Sequence, residues 1–578
     1  MCCGQNLTLS AGGRTGGTGC DESHLNPMTK TARFVANLPR LSHLSTRVLA
    51  LVAATGLAGC NVLTGADELT VGSDTEDDGD GGDTSGPGAG PGPGSGAGGA
   101  GAGHQGGAGG AGPGSGAAGG AGGAGGGPVA PEGDATGVEI NEVAFYQAVK
   151  STVWENGSAQ TPTVSIVANR PAVVRVFASA SGTTGSPVTA RLIMGNNPPI
   201  EQTVQSFGNA SEGSYNSTIN FDVPAGYMAS GNWRVEFKEP ASSSQGANPS
   251  ANTGDASMQM RSSKALKVTL IPVQYQADGS NRMPDTTPGQ VEAYRAAFMA
   301  EYPATDVILS VGPTLAWGNT VSAGGGGWET LLNAVTDERT SSNADFDEYY
   351  FGIFNPANSF NSYCSGGCVL GLGWIGGPNA EYTRAAIGIG YSGETATETA
   401  VHEIGHNHGR EHSPCGGVSG ADPQYPHSGG NIGVWAMNIF THELFPPDHK
   451  DFMTYCHPQW ISDYTYENIL DFMGATGSSI QFPEASLNQV YDRISIGESA
   501  AMFMDSKQMP RPPLGDELES ITLTLADGTT KTVQGNYYRY DHLPGGVLYV
   551  KQQPVAIQSL EAELSIDGLQ STIVQAVR

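Results

Sequence analysis

The amino-acid sequence predicts a multi-domain protein in which an α+β domain is flanked by two all-β, sandwich-like regions and preceded by a disordered glycine-rich linker. Three observations carry that prediction. Glycine supplies 84 of 578 residues and is concentrated near the N-terminus. Period-two alternation marks residues 136–262 and 482–578. Between them, residues 263–481 alternate strand-like and helix-like segments. The charge balance is 27 Lys+Arg against 56 Asp+Glu, a net charge of -29. That disfavours a nucleic-acid binder, which needs a basic face to displace counterions.

The N-terminal residues read as address and tether. Lys30, Arg33, Arg40 and Arg47 form a basic stretch before the apolar run Val48–Gly59, which is too short to span a membrane as a helix and suits a signal peptide. The run ends Leu57-Ala58-Gly59-Cys60, which resembles the lipobox of bacterial lipoproteins. That resemblance implies that Cys60 is acylated and becomes the mature N-terminus. Met28 then reads as the true start, residues 1–27 as a mis-called extension and residues 28–59 as the signal peptide. Asn61, rather than Asp, points to outer-membrane sorting. Residues 60–135 follow as tether, and 26 of the 47 residues from Gly81 to Gly127 are glycine; such a segment has nothing to bury against its ordering entropy. The acidic run Asp74–Asp83 lacks the ligand spacing of an EF-hand and reads as spacer.

In the first β region, Trp233–Lys238 alternates apolar and charged residues and Ala172–Phe177 is β-rich. In the second, Ile521, Leu523 and Leu525 alternate before the turn signal Asp527-Gly528. Neither carries a catalytic constellation in its sequence. The middle region predicts strands at Leu266–Gln276, Asp306–Val311, Glu348–Phe354 and Ala385–Tyr391, and helices at Pro288–Tyr302 and around Trp328–Val335. Setting aside Cys2, Cys3, Cys20 and Cys60 leaves Cys364, Cys368, Cys415 and Cys456, an even set that argues for two disulfides in an exported chain. Four cysteines allow three pairings. Cys364–Cys368 with Cys415–Cys456 is favoured, the first pair being local and the second flanking the motif below. The CxxC pairs of a cysteine-ligated zinc are missing.

After Ala385–Tyr391 comes His402-Glu403-Ile-Gly-His406-Asn-His408-Gly409-Arg-Glu-His412. On a helix, His402 and His406 lie one turn apart on the same face, placed to hold Zn²⁺. Glu403 is placed to reach a water on that ion. Gly409 permits the left-handed conformation that ends a helix and returns His412 as a third ligand. Three histidines leave a fourth position open, the mark of a catalytic zinc. His408 points off that face and reads as a surface or supporting residue.

The motif resembles the HExxHxxGxxH of the metzincin zinc peptidases, and Asp451-Phe-Met453-Thr-Tyr455-Cys456 resembles their Met-turn, before a helix at about Ser462–Met473. The resemblance spans mainly Ala385–Met473. It implies one catalytic Zn²⁺, Met453 as apolar base, Tyr455 as an aid to catalysis and a protein or glycoprotein substrate. It also implies a substrate lying along Ala386, Ile387, Gly388 and Ile389, the strand before the helix. The expected chemistry is peptide hydrolysis with Glu403 as general base, in a monomer held to the membrane by its lipid. The competing reading is a non-catalytic lipoprotein, an adhesin or binding module with a structural or vestigial zinc. The stretch between His412 and Met453, with His427, His442 and His449, departs from the family pattern and is expected to shape the rim of the site.

Overall fold

Strand-forming sequence dominates the chain, and the protein is mostly β-sheet with few helices. The computed structural model describes residues 131–576 apart from 182–186, 242–246, 478–479, 498–500, 516–517 and 567–568. The expected extension, signal peptide, Cys60 and almost all of the linker lie outside the described residues. Among the described residues no helix is long and apolar enough to cross a membrane.

The first β region is two sheets packed face to face. One orders Glu132–Asp134, Gly231–Pro240, Val188–Met194 and Ile200–Val204; the other contains Ala148–Glu155, Val138–Tyr146, Ala172–Ala180 and Ile219–Val223. Alternating residues of both inner faces, including Phe145, Val174, Leu192, Trp233 and Phe237, share one core. Glu132–Asp134 already pairs with Gly231–Pro240, so ordered structure begins slightly before residue 136. The second sheet also takes strands from the stretch between His412 and Met453. Ala436 lies opposite Val149 and Met437 opposite Ala148. The three histidines of that stretch do not form the expected rim. His442 stacks on Tyr215 at 4.5 Å, His427 lies 2.6 Å from Asp463, and His449 packs at 5.6 Å from Phe445. That stretch docks the first β region onto the middle one, and its three histidines stay out of the site described below.

In the middle region, Val307–Val311, Leu266–Tyr275, Glu348–Phe354 and Ala385–Ile389 are successive parallel neighbours, and Gly371–Ile375 runs antiparallel beside Ala385–Ile389. Every residue of Ala385–Ile389 is buried, as befits a central strand covered on both faces. The helices Pro288–Glu301 and Trp328–Ser341 pack on this sheet near their expected positions. Glu394–Asn407 follows the central strand and packs across it.

The C-terminal strands do not form a separate sheet. Thr530–Tyr540 continues the middle sheet at its antiparallel edge, with Tyr540 opposite Trp374 and Arg539 opposite Ile375. Its hairpin partner is Gly546–Lys551, so the residues between them are carried to the end of the Glu394–Asn407 helix. Asp337 on the Trp328–Ser341 helix secures the junction through Arg493 at 2.8 Å. Both favoured disulfides are present, Cys364–Cys368 and Cys415–Cys456.

Candidate metal centre

The helix Glu394–Asn407 buries Ala396, Ala400, Val401 and Ile404 against the sheet and carries His402, Glu403 and His406, also buried. It stops because Gly409 takes a φ of 71°, a conformation that costs a residue with a Cβ. The Arg410 N–H bonds back to the Gly405 carbonyl at 3.1 Å, and the chain reverses to bring His412 to the other two histidines. The three ring centroids lie 4.7–5.4 Å apart.

Each ring is held through its Nδ1. His402 Nδ1–H donates to the Phe452 carbonyl at 2.7 Å, His406 Nδ1–H to the Arg410 carbonyl at 2.6 Å, and His412 Nδ1–H to the Ser419 carbonyl at 2.9 Å. A carbonyl only accepts, so all three protons sit on Nδ1 and every Nε2 is unprotonated, with its lone pair facing the centre. Those lone pairs converge; the His402 and His406 Nε2 atoms are 3.1 Å apart. A second proton would relieve the repulsion by making an imidazolium. Burial opposes that, holding His402 down to about 3 and His406 and His412 well below their usual value. A cation at the focus satisfies all three nitrogens at once, and pinning of the outer nitrogen is the support such ligands receive in metal sites. The donor set fits a metal ion.

The neighbouring groups complete the centre. Glu403 is 1% exposed, and burial pushes its carboxyl up to about 8. Space for that carboxylate exists because residue 371 is glycine: a Cβ there would lie 2.2 Å from Glu403 Oε1. The Tyr455 hydroxyl lies 3.2 Å from His412 Nε2. Met453 is fully buried against the helix, where a Cβ on Gly405 would meet its Sδ at 2.5 Å. Asp451, also fully buried, holds this turn in place. Its Oδ1 accepts the Met453 N–H at 2.9 Å and the Ser413 hydroxyl at 3.1 Å, and its Oδ2 accepts the Ser462 N–H at 3.0 Å. The Cys415–Cys456 disulfide ties the loop after His412 to the end of the same turn.

Two residues of the centre come from the C-terminal region, where none was expected. His542 Nδ1 bonds to the Tyr455 hydroxyl, while its Nε2 lies 3.1 Å from Glu403 Oε1 and 3.2 Å from Asp541 Oδ2. Asp541 accepts the Gly373 N–H at 3.0 Å and reaches His406 Nε2 at 3.3 Å. Burial, and then the nearby Glu403 charge, push the Asp541 carboxyl well up. His402, His406, His412 and His542 together can hold a metal ion, their ligand atoms lying within 4.8 Å of one another. His542 is 139 residues from Glu403, and its only local signal is an Asp-His pair ahead of a Pro-Gly-Gly turn.

One further expectation is narrowed and another corrected. His408 is neither at the surface nor at the centre: it is fully buried, stacked on Tyr349 at 4.6 Å, with Nδ1 on the Ile404 carbonyl at 2.8 Å. The strand carrying Ala386, Ile387, Gly388 and Ile389 is paired on both sides and has no edge to offer a peptide. Its Gly388 makes room for the Phe351 ring and the Thr399 methyl, not for an incoming backbone.

Packing between Gly405 and the turn gives a test of how the ligands are held. Gly405→Ala drives a methyl into Met453 Sδ and the Phe452 ring, displacing the carbonyl that anchors His402. Urea unfolding should show a loss of about 1–3 kcal/mol, and competition with a chelator should show metal held roughly tenfold or more less tightly. Unchanged metal affinity would contradict this account of the anchor. No protein-family model matches the chain and no curated protein matches it, so the functional reading rests on this geometry and on the motif.

Proposed function

We propose that the protein is a zinc-dependent endopeptidase of metzincin type, carried on a lipid-anchored protein of the bacterial cell envelope. The observation that carries the reading is the convergence of three unprotonated Nε2 atoms beside a buried carboxyl that is not itself one of the three. A structural site needs no such carboxyl. The HExxHxxGxxH pattern and the Met453 turn support the same class, and the exported character of Cys60 and the two disulfides support the compartment.

His402, His406 and His412 would hold a zinc ion, which when bound would supply Lewis acidity and make a nearby water more acidic. Glu403 takes a proton from the attacking water and returns it to the amine nitrogen as the peptide C–N bond breaks. Its enclosure favours the protonated form between the two transfers. The Tyr455 hydroxyl, 3.2 Å from His412 Nε2, donates to the oxygen that gains negative charge as the carbonyl is attacked. The Phe452, Arg410 and Ser419 carbonyls keep the imidazoles in one orientation throughout.

One observation favours a second reading. His542 stands where the open position of a catalytic site would be, and four imidazoles make a closed, structural centre. On that reading the chain is a binding module or adhesin stabilised by its metal.

Glu403→Gln separates the two. It should retain one zinc per chain yet lower casein cleavage by roughly 10²–10⁴-fold; cleavage equal to wild type would sink the mechanism. For the anchor, Cys60→Ala should move the protein from the membrane to the soluble fraction, and a wild-type protein that already fractionates as soluble would refute it.

A further inference from the structure

An extended peptide binds a sheet by adding a strand at an edge. The edge beside the metal centre is Gly371–Ile375, whose glycines lie directly on Glu403: a Cβ on residue 373 would be 3.1 Å from the Glu403 carbonyl oxygen. That edge is taken by the chain itself. Arg539 and Tyr540 pair with Ile375 and Trp374 in antiparallel register, and the Tyr540 ring stacks on Trp374 at 4.7 Å. Arg539 is further held by Glu411, 2.6 Å away in the motif's own turn. One residue on, Asp541 accepts the Gly373 N–H at 3.0 Å, so a side chain takes the next donor along the edge. His542 then enters the centre between Tyr455 and Glu403, the two groups the hydrolysis requires.

We propose that Arg539–His542 is a built-in pseudo-substrate: it lies along the track an extended peptide would use, with His542 as a fourth metal ligand, and holds the enzyme latent. The inference rests on the peptidase reading and deepens it. It assigns the C-terminal hairpin as the inhibitor. Substrate and hairpin tip exclude each other, so the apparent Kd is the intrinsic Kd divided by the fraction of molecules with the tip lifted.

The test uses the full chain loaded with Co²⁺, whose visible spectrum reports its ligands, and acetohydroxamate as a small probe of the fourth position. In His542→Ala the probe should shift the cobalt bands at a concentration at least about tenfold below that needed in wild type, and cleavage of an unstructured peptide should rise by a similar factor. Should His542→Ala fail to fold, His542→Asn makes the same comparison. Equal titration of wild type and variant overturns the proposal, as does slower cleavage by the variant, which would make His542 an aid to catalysis. A clear difference in titration with no cleavage by either chain keeps the blocked site and sinks the peptidase reading. A chain that takes up no cobalt overturns both.

Discussion

The carbonyls of Phe452, Arg410 and Ser419 each hold one Nδ1–H, and much of the structure serves to keep those three oxygens where they are. Phe452 belongs to the turn that Asp451 braces and Met453 seats under the helix. Arg410 lies in the reversal that Gly409 makes possible. Ser419 is in the loop that the Cys415–Cys456 disulfide fastens. Each support acts on a carbonyl, each carbonyl on a ring, and the rings together create a focus of lone pairs in a buried place. Without a cation that focus is repulsive, so the energy of the local fold and the binding of a metal are linked.

The sheet serves the same centre at longer range. A buried parallel strand feeds the helix that carries two of the ligands, and the antiparallel strand beside it supplies the glycines over which Glu403 lies. Between the third histidine and the turn, Ala436–Asn438 and Glu443–Phe445 join a sheet of the first β region as paired strands, which ties that region to the middle one. The C-terminal hairpin completes the sheet and delivers Asp541 and His542.

Local chemistry explains what could be read from the sequence. His402, Glu403, His406, Gly409 and His412 are within one helix and its terminating turn, where spacing alone dictates geometry. Met453 and Tyr455 were legible only through their resemblance to a turn, and both reach the site. The cysteine pairing followed from locality and from the motif it flanks. What was missed depends on which strands pair. The resemblance gives Ala386, Ile387, Gly388 and Ile389 to substrate, yet the unbroken apolar run of their strand is the pattern of one covered on both faces, whereas an exposed edge would alternate. Asp541 and His542 are unremarkable in a hairpin tip until strand pairing puts that tip on Gly373 and Glu403. No local pattern encodes that.

The central claim is a single metal ion held by imidazole nitrogens alone, with the C-terminal histidine among them. It is tested most directly by the zinc K-edge X-ray absorption spectrum of the full-length protein purified without chelator. The proposed reading predicts one zinc per chain with four nitrogen ligands at about 2.0–2.1 Å and the multiple scattering of imidazole rings. A sulfur ligand, or a chain that carries no metal, would contradict it.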